Sequence, residues 1–335
     1  MTTTETGTVN QLADRFGRRI NYLRISVTDR CDLRCVYCMS EDMRFVPRAQ
    51  LLTLEEVIRI GRVFSELGVS KIRITGGEPL MRKDLQRLIE SLSRIEGIED
   101  ISLTTNGTLL KRLAPSLADA GLKRVNVSLD SLDPGKYGKI RRNGDLSDVL
   151  DGIQAADQAG LRPVKINMVV IRGVNDDEIE AFARLTLKNP YHVRFIEIMP
   201  FGSGGFWRDD KCIPVHEMMG RIQAAGPLEP VDTSWPGPAE YFRLPGARSL
   251  VGFISPMTRH FCAACNRLRL TSDGKLRPCL FSNREIDVKS ALRRQASDRE
   301  IARLLKLSIQ WKPEGHVMDS GGNSDHLKSM SQIGG

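Results

Sequence analysis

Three cysteines lie close together near the start of the chain, in the segment CDLRCVYC. They are Cys31, Cys35 and Cys38, with Tyr37 directly before the third. A structural zinc site takes four protein ligands in a tetrahedral array. Thiolates also hold iron–sulfur clusters, in which each iron needs a ligand from outside the cluster. Three cysteines around a four-iron cluster would leave one iron open to another molecule, whereas zinc would need a fourth protein ligand.

A second group of three cysteines lies near the C-terminus. Cys262 and Cys265 form a C-x2-C pair, and Cys279 follows after thirteen further residues. A zinc ribbon would need a second C-x2-C pair, and no fourth cysteine is near. His260 could complete a Cys3His zinc site, so zinc remains an alternative to a second cluster with one open iron. The remaining cysteine, Cys212, stands alone, and we expect it to be a structural or surface thiol.

Two arginines, Arg267 and Arg269, lie between the cysteines of the second group. They are two residues apart on an expected strand, so their side chains share one face. Guanidinium groups form forked hydrogen bonds with phosphate and carboxylate groups. A solvated basic strand is the alternative, but the position between candidate metal ligands favours an anion site.

The composition favours a globular protein with an anionic partner. The 335 residues carry a net charge of +8, and the basic residues are spread along the chain. This distribution favours a phosphate-bearing small molecule over a nucleic acid.

An odd count of seven cysteines, six of them in two groups, argues against a disulfide framework. The first twenty residues lack the apolar core of a signal peptide, and no apolar run approaches the ~20 residues of a membrane span. We therefore expect a cytoplasmic protein.

Strand-like and helix-like patterns alternate from residue 21 to residue 200. Repeated βα units predict a parallel sheet with right-handed crossovers. Six such steps predict an α/β fold, a partial (βα)6 TIM-like barrel. Strands are expected at 21–29, 71–77, 100–107, 124–130, 162–170 and 192–200, and helices at 53–68, 84–95, 108–120, 147–160 and 176–188.

The strands carry polar residues on one face and apolar residues on the other. With a period of two, Arg24, Arg73, Thr104 and Lys165 fall on the polar faces. The apolar faces can pack against the helices, so the polar faces would point into the lumen. Parallel sheets are seldom open to water. The lumen would therefore hold a polar ligand; the alternative is a half-exposed mixed sheet with solvated polar faces.

The sequence changes in character after residue 200, where glycine-rich and proline-rich loops replace the alternation. We therefore expect an N-terminal extension at 1–20, a partial barrel at 21–200, and a C-terminal domain at 201–335. The last domain would carry the second cysteine group and end in the pair Gly334 and Gly335.

The first cysteine group, spaced C-x3-C-x2-C, resembles the signature of radical S-adenosylmethionine enzymes. The resemblance implies that the open iron of a [4Fe-4S] cluster binds the methionine part of S-adenosylmethionine, and that the reduced cluster yields a 5′-deoxyadenosyl radical. A second feature of that family is TGGEP at 75–79, which ends the second expected strand. By this resemblance the contacts to the cofactor are Tyr37, Gly77, Ser128 and Met199.

The whole motif set is similar to that of the GTP 3′,8-cyclase family of molybdenum cofactor biosynthesis. It comprises both cysteine groups, TGGEP, the segment NRLR and the terminal glycine pair, and it spans about residues 21–335. The resemblance implies two [4Fe-4S] clusters, with guanine bound to the open iron of the second. It also implies a lyase reaction in which the radical takes hydrogen from ribose C3′ and the new C3′ radical attacks guanine C8. The implied substrate-binding residues are Arg24, Arg73, Thr104, Lys165, Arg267 and Arg269, and the implied catalytic residues are Gly334 and Gly335.

The family also implies partners. These are GTP, a downstream cyclic pyranopterin monophosphate synthase and a reductant protein such as flavodoxin or ferredoxin. A homodimer is a further possibility. Two alternatives remain at this point. One is a radical enzyme of another subclass with an auxiliary cluster, and the other is a zinc-stabilised RNA-binding protein that uses the positive charge.

Overall fold

The computed structural model describes residues 12–201, 206, 208–233, 237–316 and 329–334. These residues form one 12-stranded sheet. The strands are β1 (Tyr22–Ser26), β2 (Lys71–Thr75), β3 (Asp100–Thr105), β4 (Arg124–Ser128), β5 (Lys165–Val170), β6 (His192–Glu197), β7 (Glu229–Val231), β8 (Glu240–Arg243), β9 (Val251–Ile254), β10 (Arg267–Leu270), β11 (Lys275–Arg277) and β12 (Ile286–Asp287).

The middle of the sheet consists of βα units. Strands β1 to β6 lie side by side in chain order, and every neighbouring pair is parallel. Helices follow the strands, as expected for right-handed crossovers. The α-helices are α1 (Leu54–Glu66), α2 (Leu85–Ser93), α3 (Leu110–Asp119), α4 (Pro134–Arg141), α5 (Leu146–Gln158), α6 (Ile179–Lys188), α7 (Val215–Ile222), α8 (Lys289–Arg293), α9 (Asp298–Gln310) and α10 (Met330–Ile333).

The apolar faces of the strands form the core with the helices. Leu23 and Ile25 of β1 are fully buried and belong to the same hydrophobic cluster as the apolar stripe of α1. That helix begins with the predicted capping box, in which Thr53 and Glu56 bond each other's backbone N–H groups. Each strand therefore directs its polar residues away from the helices, as the alternation predicts.

The C-terminal strands extend the sheet at both ends. Strand β10 pairs in parallel with β1, and β9 pairs in parallel with β6. Beyond β10 the sheet continues with β11 and then β12, and beyond β9 it continues with β8 and then β7. Each of these four strands runs antiparallel to the strand before it in the sheet. The strand order ends in β12 and β7, which do not pair with each other within the described residues. The predicted partial barrel is thus confirmed, as a sheet that stays open between β12 and β7.

Within the predicted barrel region at 21–200, one helix, α4, was not predicted. The sequence of α4, PGKYGKIR, contains two glycines and no apolar stripe. It nevertheless carries start signals, because the Asp133 side chain accepts a hydrogen bond from the Lys136 N–H and Pro134 occupies the first turn.

None of the helices in the described part of the chain is long and apolar enough to cross a membrane.

Candidate active site

Both cysteine groups line a single cavity of about 700 Å³. This volume falls within the range of pockets that enclose small-molecule ligands. The wall includes Arg24, Arg73, Thr104 and Lys165, which the strand alternation predicted to face the lumen. The predicted site residues on the wall are Cys31, Cys35, Cys38, Cys262, Cys265, Cys279, Tyr37, Gly77, Ser128, Met199, Arg24, Arg73, Thr104, Lys165, Arg267 and Arg269.

The TGGEP segment holds the start of the first cysteine loop. The Gly77 N–H donates to the Thr28 carbonyl at 2.7 Å, and the Glu78 N–H donates to the Arg30 carbonyl at 2.7 Å. A Cβ atom at Gly77 would lie 2.3 Å from the Arg30 oxygen. Only glycine fits this approach, so the segment TGGEP fixes the chain immediately before Cys31.

The Glu78 carboxylate lies at the centre of a buried polar network. It accepts hydrogen bonds from Leu80 N at 2.9 Å, Thr105 Oγ1 at 2.8 Å and Asn106 N at 2.7 Å. Burial raises the pKa of Glu78 to about 7, although these donors oppose the rise. The Asn106 side-chain amide continues the network to Asp32 in the cysteine loop, at 2.7 Å. Strands β2 and β3 are thereby connected to the loop that carries the first thiols.

The first cysteine loop also contacts the end of α4. Arg141 donates from Nη1 to Cys35 Sγ at 3.0 Å. Burial raises the pKa of the Cys35 thiol, and Arg141 opposes that rise. The neighbouring Tyr37 donates its hydroxyl to Asp130 Oδ2 at 2.7 Å. Cys38 is half-buried, and burial raises the pKa of its thiol to about 12.

The second cysteine group lies in a basic environment. Burial alone would raise the pKa of the Cys265 thiol, but Arg267 and Lys312 bring it down to about 6. Such a thiolate is ready to bind a metal, because ligating thiols must be deprotonated. Cys262 Sγ lies 3.3 Å from His316 Nδ1.

Among the described residues, His260 does not converge with the three cysteines into a closed zinc site. Its Nδ1 lies 2.9 Å from the Pro256 carbonyl oxygen. Within the described ranges, no three His, Cys, Asp or Glu side chains converge closely enough to share one metal ion. A four-iron cluster needs no such convergence, since each cysteine binds a different iron. Three thiols that face one cavity are compatible with a four-iron cluster.

Three arginines lie in register across adjacent strands. Arg269 of β10 is opposite Arg24 of β1, which is opposite Arg73 of β2. Burial, followed by the nearby Arg269 charge, lowers the pKa of Arg24. Burial and neighbouring arginines also lower the pKa of Arg269, to about 10. Crowded, buried cations are costly without an anion, so this row is suited to a polyanionic ligand.

Further polar groups extend the site along the parallel strands. Lys165 donates from Nζ to the Tyr241 hydroxyl at 3.2 Å. Burial and nearby arginines, Arg194 foremost, lower the pKa of Lys165 to about 6. Thr104 accepts a hydrogen bond from Asn126 Nδ2 at 3.3 Å.

Sequence reasoning missed several residues on the cavity wall. Arg194 of β6 lines the cavity and donates from Nε to Asn167 Oδ1 at 2.8 Å. The alternation of side chains along β6, with a period of two, could have placed Arg194 on the lumen face. Lys71 and Arg124 also line the wall but begin their strands, where the alternation gives less direction. Lys312, from the loop after α9, had no local sequence signal.

The C-terminal tail reaches the arginine row. The Gly334 carbonyl accepts from Arg269 Nη1 at 2.8 Å and from Arg24 Nη2 at 3.3 Å. Gly334 adopts a left-handed conformation with φ of +74°, and a Cβ there would lie 2.5 Å from Thr75 Oγ1. This position therefore requires glycine. Gly335 lies outside the described residues.

Comparisons with known proteins agree with this geometry. A family model described as the Radical SAM superfamily matches residues 25–186, and one described as Molybdenum Cofactor Synthesis C matches residues 191–318. The GTP 3′,8-cyclase of Thermodesulfovibrio yellowstonii is 52% identical over 330 residues, covering 97% of this chain and 100% of the relative. The GTP 3′,8-cyclase of Pelotomaculum thermopropionicum is 52% identical over 327 residues, with the same coverage.

Solved structures show the same fold at low sequence identity. Streptococcus suis SuiB bound to S-adenosylmethionine matches with a TM-score of 0.59 and 15% identity, covering 81% of this chain and 64% of that one. SuiB bound to the precursor peptide SuiA matches with a TM-score of 0.60 and 15% identity, covering 98% of this chain and 76% of that one. At this identity the likeness concerns the fold alone.

Fold, site and family model together define a radical S-adenosylmethionine enzyme, and its cofactors accordingly include S-adenosylmethionine and a [4Fe-4S] cluster. About half of its residues are identical to several relatives along nearly the whole chain. The chain belongs to the GTP 3′,8-cyclase family, and the family prediction is confirmed. This membership excludes the hypothesis of a zinc-stabilised RNA-binding protein.

Proposed function

We propose that this protein catalyses the 3′,8-cyclisation of GTP in molybdenum cofactor biosynthesis. The observation that carries the proposal is the single cavity that joins two cysteine groups across a row of arginines. A radical reaction on a nucleotide needs a radical source, a phosphate site and a site for the base in one enclosed space. Each of these has candidate residues on this wall.

The first cysteine group would hold the cluster that works with S-adenosylmethionine. Cys31, Cys35 and Cys38 are its proposed ligands, and the cofactor when bound supplies a 5′-deoxyadenosyl radical that takes hydrogen from ribose C3′. The proposed cofactor contacts lie on the same wall, in the cysteine loop and at or after the ends of β2, β4 and β6. They are Tyr37, Gly77, Ser128 and Met199. The Gly77 N–H already donates to the Thr28 carbonyl, so it would not donate a hydrogen bond to the cofactor. The proposed role of Gly77 is instead to let the backbone lie close to the bound cofactor.

The cationic strands would bind the triphosphate. Arg24, Arg73 and Lys165 face the lumen, and Arg267 and Arg269 lie beside the second cysteine group. Burial, together with the neighbouring cations, lowers the pKa of several of these groups, and a bound polyanion would relieve the repulsion between them. Thr104 adds a hydroxyl that can bond the substrate. Held in this way, the ribose would be oriented towards the first cysteine group and shielded from water.

The second cysteine group would hold a second [4Fe-4S] cluster. Cys262, Cys265 and Cys279 leave one position open, where the guanine ring would bind. The lowered pKa of Cys265 is consistent with a ligating thiolate. Gly334 bonds two of the proposed phosphate-binding arginines, so the tail would order the site and assist the radical step. Gly335 would share that catalytic role.

The remaining assignments extend this proposal. The activity would be a lyase reaction in the cytoplasm, with electrons from a flavodoxin or ferredoxin. Its product, 3′,8-cyclo-7,8-dihydro-GTP, would pass to cyclic pyranopterin monophosphate synthase. The division into an extension at 1–20, a barrel at 21–200 and a domain at 201–335 also stays a prediction.

An anaerobic assay on the reconstituted full chain tests the function. Two four-iron clusters require about eight irons and eight sulfides per chain. With GTP, S-adenosylmethionine and dithionite, the expected products are 5′-deoxyadenosine and a cyclised GTP, with ATP as the control nucleotide. Zinc in place of iron would reject the proposal. Deoxyadenosine without any GTP product would retain the radical chemistry and reject GTP as the substrate.

A further inference from the structure

Arg141 is a buried cation that contacts the first cysteine group. Its side chain is 3% exposed, and Nη1 donates to Cys35 Sγ at 3.0 Å. Behind it, Nη2 lies 2.9 Å from Asp130 Oδ2. The same carboxylate oxygen accepts the Tyr37 hydroxyl at 2.7 Å. Cys35, Arg141, Asp130 and Tyr37 thus form a continuous polar chain along one side of the cysteine loop.

Backbone contacts fix this arrangement. The Arg34 N–H donates to the Arg141 carbonyl at 3.1 Å, and the Val36 N–H donates to the Ile140 carbonyl at 3.0 Å. The last turn of α4 is therefore bonded to the residues on both sides of Cys35. Asp130 is held as well, because its Oδ1 accepts from the Val169 N–H at 2.9 Å. The guanidinium has little freedom to leave the sulfur.

This geometry has an electrostatic consequence for a cluster held by Cys35. The reduction potential of an iron–sulfur cluster depends on nearby charge, on hydrogen bonds to its sulfurs and on burial. We propose that Arg141 raises the reduction potential of the first cluster, by placing a buried positive charge and an N–H donor on the Cys35 sulfur. Asp130 opposes this effect while it holds the guanidinium in place. The inference rests on the proposed role of the first cysteine group as cluster ligands.

The sign of the effect follows from the charge balance. One electron from an external low-potential reductant enters the cluster and adds one negative charge. A cation beside the sulfur stabilises that reduced form more than the oxidised form, and low local dielectric strengthens the interaction. Removal of the arginine charge should therefore make the cluster harder to reduce. Removal of the Asp130 charge should make it easier to reduce.

An EPR-monitored redox titration of the anaerobically reconstituted full-length protein tests the proposal. The signal of the first cluster is identified by its change when S-adenosylmethionine is added. For Arg141→Gln we expect the ratio of reduced to oxidised cluster at a fixed potential to fall about tenfold, a shift of about 59 mV to lower potential for one electron. Arg141→Lys keeps the charge and should stay near the wild-type midpoint.

Two further variants separate electrostatics from structure. Arg142→Gln is the matched control, because Arg142 follows directly, is 37% exposed and pairs with Glu41 instead. Its midpoint should equal that of the wild type. Asp130→Asn should shift the midpoint to higher potential, which a merely structural role would not produce. If Arg141→Gln fails to assemble a cluster, the Asp130→Asn shift alone decides the question.

The outcomes also separate this inference from the proposed function. Wild-type midpoints in Arg141→Gln and Asp130→Asn, with a cluster that still responds to S-adenosylmethionine, overturn the inference and leave the function standing. A wild-type protein without iron and sulfide, or without any response to S-adenosylmethionine, overturns the proposed function first, and the inference with it.

Discussion

Arg269 donates a hydrogen bond from Nη1 to the carbonyl oxygen of Gly334 at 2.8 Å. One residue lies on a strand between two cysteines of the second group, and the other lies at the end of the chain. The contact brings the C-terminal tail to the middle of the cavity. It also means that the tail shares the cations proposed to bind phosphate.

The tail should therefore be needed for product formation. Gly334→Ala places a Cβ 2.5 Å from Thr75 Oγ1 at a φ of +74°. Strain of this kind costs roughly 1–3 kcal/mol, so we expect product formation to fall roughly 5- to 150-fold. Removal of Gly334 and Gly335 should abolish it while GTP still binds. The control is Gly315→Ala, where a Cβ meets no atom within 4 Å. Wild-type turnover in the truncated protein would make the tail a bystander.

Cys35 should be required for cleavage of S-adenosylmethionine. Cys35→Ala removes one of the three proposed ligands of the first cluster, so 5′-deoxyadenosine should disappear, as measured by chromatography after anaerobic incubation. Cys212→Ala is the control, because Cys212 belongs to neither group. Persistent 5′-deoxyadenosine in the Cys35 variant would reject the ligand assignment.

Cys265 should be required for cyclisation but not for every cleavage event. In Cys265→Ala the first cysteine group is intact, so we expect some 5′-deoxyadenosine that is no longer coupled to a GTP product. The measured quantity is the molar ratio of deoxyadenosine to cyclised GTP, which should rise steeply. Full coupled turnover in this variant would show that the second group does not bind the substrate-side cluster.

GTP binding should take up a proton at Lys165. Burial, followed by the nearby Arg194, lowers the pKa of Lys165 to about 6, so before GTP binds its amine is mostly neutral at pH 7.5. A triphosphate favours the charged form and raises that pKa. Between pH 6 and the raised value, binding should consume a proton, and affinity should fall as pH rises. Below pH 6 the lysine is already charged, and the uptake should vanish.

Calorimetry in two buffers of different ionisation enthalpy measures this uptake. Lys165→Met should lose it and bind GTP roughly tenfold or more weakly, as expected for a lost charge-assisted hydrogen bond. Lys111→Met is the control, because Lys111 is exposed and pairs with Asp151 on the outer surface. Equal proton uptake in the wild type and in Lys165→Met would contradict the assignment.

Arg18 should stabilise the second cysteine region. It is buried against Asp14 at 2.6 Å and donates to the carbonyls of Cys262, Pro313 and Glu314. Arg18→Met leaves the Asp14 charge buried without its partner, which costs roughly 3–5 kcal/mol of unfolding free energy. Urea denaturation measures the loss.

The neighbouring Arg19 provides the matched control for Arg18. Its side chain is exposed, and Arg19→Met should change the unfolding free energy by no more than about 0.5 kcal/mol. A similarly small change in Arg18→Met would mean that this arginine does not anchor the N-terminal segment.

Local patterns predicted the barrel strands and the orientation of their side chains. Arg24, Arg73, Thr104 and Lys165 lie on the cavity wall because side chains alternate with a period of two, which depends on sequence alone. The same alternation in β6 could have identified Arg194, which was missed.

Long-range pairing could not be predicted from local patterns. Nothing near residues 267–270 indicates that this strand pairs with β1 and places Arg269 opposite Arg24. The same holds for Arg141, whose contact with Cys35 spans 106 positions and comes from a helix without an apolar stripe. Such contacts arise from the packing of whole elements, so a single local segment carries no sign of them.

GTP and the source of the radical should lie next to each other in one cavity. The most direct test uses GTP deuterated at ribose C3′, with S-adenosylmethionine and reductant, and follows deuterium by mass spectrometry. We expect one deuterium in the 5′-deoxyadenosine and none at C3′ of the cyclised product. Unlabelled deoxyadenosine, with deuterium retained in GTP, would contradict the claim that the radical reaches the ribose in this cavity.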